Sequence, residues 1–147
     1  MRLDVVLMLA ASCLGVPDRP KKVDPVKKEV KKLEGTWKLV GLERLGQEVK
    51  GSSLTLTITG NKYVAKTRTG VVLEEGTYQI NPSRKLKTMT FSILSGKDKG
   101  STQNALYELQ GDTLKLCLAQ PGKDRPASFT TKTGTGFEMF VMERVKK

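Results

Sequence analysis

The amino-acid sequence predicts an all-β domain, a single eight-stranded antiparallel barrel with a short N-terminal helix. Three observations lead there. From Gly35 onward the chain is a series of short segments in which apolar and polar residues alternate, the period of a half-buried strand. Turn-forming pairs separate many of them, among them Gly60-Asn61, Thr69-Gly70, Asn81-Pro82 and Gly111-Asp112. Trp37, the only tryptophan, opens the first segment, and Arg144 closes the last. In an up-and-down barrel the first and last strands are antiparallel neighbours. That topology sets Trp37 and Arg144 on the same rim. With 147 residues the chain is long enough for one domain with a real core and too short for two ordinary ones.

The elements follow in order. Asp24-Pro25 predicts a helix start, with Asp24 as N-cap and Pro25 at the first helical position. Val26, Val30 and Leu33 recur at spacings of four and three, so residues 25–33 are expected as a short amphipathic helix against one end of the barrel. The first strand is expected at 36–43. Residues 53–59 alternate strictly, with Leu54, Leu56 and Ile58 on one face. Strands at 62–68 and 71–80 follow. The next, 87–94, carries Met89, Phe91 and Ile93 on one face. Residues 95–100 read as a polar loop. Strands at 103–109 and 113–119 flank Gly111-Asp112, and 137–144 is the last. A short edge segment at 127–132 is a candidate ninth strand.

Several stretches carry a family likeness. They are Leu33-Glu34-Gly35-Thr36-Trp37-Lys38-Leu39-Val40, Gly76-Thr77-Tyr78, Tyr107-Glu108-Leu109 and Gly111-Asp112-Thr113-Leu114-Lys115-Leu116-Cys117-Leu118-Ala119. Gly122, Arg125-Pro126 and Phe129 follow. Together they resemble an uncharacterised lipocalin-like domain family abundant in planctomycete bacteria, over roughly residues 26–145. The resemblance implies a lipocalin-like barrel in a bacterial exported or multidomain setting. In that kind of barrel a G-x-W tryptophan plugs one end and a basic residue from the final strand packs across it. The resemblance supplies no activity and no catalytic residues.

The amino terminus reads as an export signal. One arginine precedes an apolar run, and Ala10-Ala11-Ser12-Cys13 resembles the lipobox of bacterial lipoproteins. The run is too short for a membrane-spanning helix. The expected organisation is a lipoprotein-type signal peptide at 1–12, a Pro- and Lys-rich tether at 13–24 and the barrel domain at 25–147. Cys13 is the expected lipidation site, giving an exported protein of the cell envelope or periplasm attached to the membrane. An ordinary cytosolic start is the alternative. Cys13 and Cys117 are the only cysteines and pair on paper, but lipidation of Cys13 leaves Cys117 as a small strand residue.

Composition narrows the chemistry. There is no histidine, which removes the commonest general base at neutral pH and the commonest zinc ligand. No nucleophile–base pair or metal-ligand cluster appears, so a non-enzymatic protein without a cofactor is expected. Glu74-Glu75 are neighbours on a strand and point to opposite faces, which argues against a shared acid–base pair. The 96–102 loop lacks the residue order of a phosphate loop. The net charge of +11 divides as +4 over residues 1–32 and +7 over 33–147, without a dense block. That is a solvated basic surface, and aromatic stacking platforms are scarce, so no specific nucleic-acid partner is expected.

What remains is the barrel interior. Leu54, Leu56, Ile58, Tyr78, Ile80, Phe91, Leu114, Leu116 and Leu118 are candidates to line a cavity, with Tyr63, Tyr78 and Tyr107 as polar handles. The same residues also suit a filled core. The first reading is a monomeric binder of a small hydrophobic ligand. The second is an envelope interaction or structural module with a filled barrel.

Overall fold

The structure is a computed structural model and describes residues 24–146. The signal-peptide expectation and Cys13, and the tether up to residue 23, lie outside the described residues.

Helix α1 spans Pro25–Leu33. The Asp24 side chain accepts from the Val26 amide at 2.9 Å, and Pro25 sits in the first turn. The strands are β1 (Gly35–Arg44), β2 (Gln47–Glu48), β3 (Thr55–Thr59), β4 (Lys62–Lys66), β5 (Val72–Asn81), β6 (Thr88–Gly96), β7 (Thr102–Gln110), β8 (Thr113–Leu118) and β9 (Glu138–Arg144). All pairings are antiparallel. They run β1-β3-β4-β5-β6-β7-β8-β9, and β1 pairs back onto β9 to close an eight-stranded barrel. Closure leaves no unpaired edge in the barrel itself. Each barrel strand expected from the alternation is present, with ends shifted by at most two residues.

Three details differ from expectation. The additional strand is β2, which pairs with the end of β1 through a Leu45-Gly46 turn. Both turn residues have positive φ, 51° and 73°, the geometry whose twist matches a tight hairpin. Residues 127–132 form no strand. They belong to the 119–137 connection, which wraps the outside of the barrel. Phe129 and Phe137 there cover the outward residues Leu106, Cys117 and Met139. The half-buried Arg125 holds the wrap down by donating to the Met89 and Ala105 carbonyls at 2.9 and 2.7 Å.

The third correction concerns the buried face of α1. Val26 is solvent-exposed, while Glu29 and Leu33 are buried. Glu29 is tolerated there because its carboxylate accepts from Tyr107 Oη and Lys87 Nζ, both at 2.8 Å. Burial works against its ionisation. The Lys87 and Tyr107 hydrogen bonds and the charges of Lys87 and Lys32 outweigh that and hold the carboxyl below its usual range.

Candidate functional site

The barrel interior divides into two halves. The end that receives α1 is packed solid. Leu33 and Trp37 are fully buried there beside Ile58, Tyr78, Tyr107 and Leu114. Trp37 pairs with Leu56 on β3 and with Arg144 on β9. Its indole N–H donates to the Leu33 carbonyl at 2.8 Å. The Arg144 guanidinium lies 4.3 Å from the indole ring centre. It also donates to the Glu34 and Lys32 carbonyls at 2.6 and 2.5 Å, and its Nε reaches Asp112 at 3.2 Å. Trp37 and Arg144 therefore take the carbonyls at the C-terminal end of the helix, where a cation is electrostatically favoured. Tyr78 reinforces this end through its hydroxyl, which donates to the Gly60 carbonyl at 2.6 Å. Burial and the Glu34 charge push the Tyr78 phenol up to about 12.

The other half holds a cavity of about 720 Å³ that opens at the far rim. Its apolar wall includes Leu54, Leu56, Ala65, Phe91, Leu116, Leu118, Phe140 and Met142. Of the residues expected to line a cavity, Leu54, Leu56, Phe91, Leu116 and Leu118 do so. Ile58, Tyr78, Ile80 and Leu114 do not. They have the inward parity but sit nearer the plugged end, where α1 and Trp37 fill the space: Ile58 pairs with Gly35, and Ile80 with Met89. The two halves share one core: Leu56, Ala65, Phe91, Leu116, Leu118 and Met142 are buried in it and also border the cavity.

A polar group stands against this apolar wall. Glu74 on β5 and Tyr63 on β4 both line the cavity, and the Tyr63 hydroxyl donates to Glu74 Oε2 at 2.9 Å. The Tyr63 ring meets Phe91 edge-on, with centroids 4.9 Å apart. Burial pushes the Glu74 carboxyl above its usual range. The Tyr63 hydrogen bond opposes that shift, and the Asp98 charge adds to it. Burial beside this carboxylate also pushes the Tyr63 phenol up, so its proton stays on oxygen and it serves as a donor. Lys97, Asp98, Ser101, Gln103, Gln120 and Glu138 complete the mouth, where Glu138 is paired with Arg44.

Glu74, Phe140 and Met142 are cavity residues that the sequence reading did not single out. Parity was the available signal. Ile80, Tyr78, Gly76 and Glu74 follow one another at intervals of two, so the face that buries Tyr78 also carries Glu74. Cys117 points the other way, fully buried under the 119–137 wrap. Burial pushes its thiol up against the smaller lowering effects of a Thr130 backbone hydrogen bond and the Lys115 charge, which makes it an inert packing residue.

The arrangement offers an apolar floor, one half-buried hydrogen-bonding carboxylate and an open polar rim. That suits holding a small molecule. No protein-family model, curated protein or solved structure matches the chain.

Proposed function

We propose that this barrel is a non-enzymatic, exported lipocalin-like carrier that holds a small hydrophobic ligand in its open half. The cavity of about 720 Å³ carries the reading. Its size falls in the ordinary range for small-molecule sites, and its wall is mainly apolar with few polar groups, as such sites are. A barrel serving only as a structural module gains nothing from leaving a cavity of this size unfilled, because unfilled volume forfeits packing contacts.

Native mass spectrometry of protein purified from its own organism tests the reading by the presence of a retained small molecule. A complementary test uses the neutral fluorophore N-phenyl-1-naphthylamine. Its emission is expected to rise on binding the wild-type protein. Ala65→Phe adds a ring directly into the void and is expected to weaken that binding on the order of tenfold. Stability should fall by no more than about 1–3 kcal/mol, the usual range for a small-to-large change at a buried position, with the cavity taking up part of the ring. No retained mass together with no dye binding sinks the carrier reading.

Membrane attachment through Cys13 accompanies the proposal. It rests on the Ala10-Ala11-Ser12-Cys13 sequence. Radiolabelled palmitate is expected to enter the native protein and Cys13→Ala to abolish the label. Recovery of cytosolic protein with Met1 intact excludes it.

A further inference from the structure

The lumen carries a charge opposite to that of the whole chain. The protein bears +11, yet the ionisable side chains facing the cavity are Glu74, Asp98 and Glu138 against Lys97. Glu138 is neutralised by Arg44. Glu74 is not neutralised in this way. No ion pair among the described residues includes it. Tyr63 supplies one hydrogen bond to Oε2, and no described group donates to the second oxygen. A half-buried carboxylate with an open acceptor, set in an apolar pocket, gains most from a ligand that brings both a proton donor and a positive charge.

The backbone sets this carboxylate in place. The β4–β5 ladder shifts register between Ala65 and Lys66, and the β5–β6 ladder shifts between Glu75 and Gly76. Glu74 lies between the two irregularities, which end the regular pairing near the open rim. Such irregularities re-aim side chains at the mouths of barrels. Below Glu74 lies the apolar wall of Leu54, Leu56, Phe91, Leu116 and Phe140.

We propose that the cavity selects amphiphiles with a protonated amine, the ammonium bound by Glu74 under the field of Asp98 and the alkyl part lying on the apolar wall. This rests on the carrier reading and specifies its ligand class. An alcohol of the same length offers a donor without the charge. A carboxylate offers charge of the wrong sign and meets Glu74 and Asp98 at short range.

The two electrostatic effects oppose each other, which makes the test decisive. Attraction to the net positive chain favours an anion, and attraction to the lumen favours a cation. Calorimetric titration with decylamine, 1-decanol and decanoate, each below its aggregation concentration, separates them. Decylamine is expected to bind on the order of tenfold or more tightly than decanol, the scale of one charge-assisted hydrogen bond, with decanoate weakest. Glu74→Gln keeps the side-chain shape and should remove most of the preference for decylamine while leaving decanol unchanged. Asp98→Asn, at a half-buried position of the largely exposed 96–101 turn, should remove part of the preference and serves if the Glu74 variant fails to fold. Decanoate binding as tightly as decylamine overturns the proposal, as does an amine preference that Glu74→Gln leaves undiminished. Equal binding of all three leaves the carrier reading standing and removes only the amine selectivity. Binding of none removes both.

Discussion

Trp37→Ala is expected to lower the unfolding free energy by about 3–5 kcal/mol, measured by urea titration. That is a large share of the 5–15 kcal/mol or so that holds a domain of this size folded. The indole is fully buried, and α1, β3 and β9 all meet on it. Removing it leaves a void beneath the helix, orphans the Leu33 carbonyl and uncovers one side of the Arg144 guanidinium. Trp37→Phe separates these effects. It keeps an aromatic ring in the plug and loses the indole hydrogen bond, so it should cost only about 1–3 kcal/mol.

Arg144→Ala should cost about 2–3 kcal/mol. A cation–π contact alone is worth roughly 0.5–2 kcal/mol. Arg144 adds charge-assisted hydrogen bonds to two carbonyls at the helix end. The double variant should be less destabilised than the sum of the singles by about 1 kcal/mol or more, because the two side chains touch. Once the indole is gone, the guanidinium has less to hold. A cycle showing no coupling would mean that the plug and the helix latch are independent structures. Arg144→Lys should rescue little, since an ammonium does not span both carbonyls and cover a ring at once.

The fold was legible because period-2 alternation and turn chemistry agree along nearly the whole barrel. Leu54, Leu56 and Ile58 alternate with threonines, and Gly60-Asn61 follows directly, so both strand and register were constrained locally. The failures have physical causes. Val26 belongs to an apolar stripe by spacing, but the barrel end offers Lys87 and Tyr107, whose donors make burying Glu29 the better arrangement. That trade is tertiary and leaves no mark on helical periodicity. Residues 127–132 carry strand-like composition, yet they pack by side chains over Cys117 and Met139 without joining a ladder. Ile58 and Leu116 are equivalent in pattern. Both are buried in the core, and only Leu116 also borders the cavity, because parity gives the face of a strand and not the height along the barrel axis. Glu74 was the readable miss. Its face is fixed by Tyr78, four residues on along the same strand, but parity does not tell that this carboxylate borders an open cavity.

Gly76→Ala is expected to be the other severely destabilising change, by about 3–5 kcal/mol, although only one methyl is added. The reason lies across the ladder. At Gly76 the β6 backbone comes so close that a Cβ would stand 2.0 Å from the Ser92 carbonyl oxygen and 3.2 Å from the Leu94 amide nitrogen. Both obstacles are main chain, so no rotamer change relieves the clash, and β5 and β6 must separate. This is where the ladder shifts register between Glu75 and Gly76. Separation therefore disturbs the irregularity that sets Glu74, two residues away, in the mouth. A partly folded Gly76→Ala protein should accordingly lose amine binding before it loses its overall β content by circular dichroism. Gly111→Ala is the control. Gly111 has a φ of +58°, and an added Cβ there meets nothing within 4 Å. It should cost only the left-handed backbone penalty of about 1–2 kcal/mol. Gly76 itself has no left-handed φ, so a cost there no larger than at Gly111 would show that the close approach of β6 is not what requires glycine at position 76.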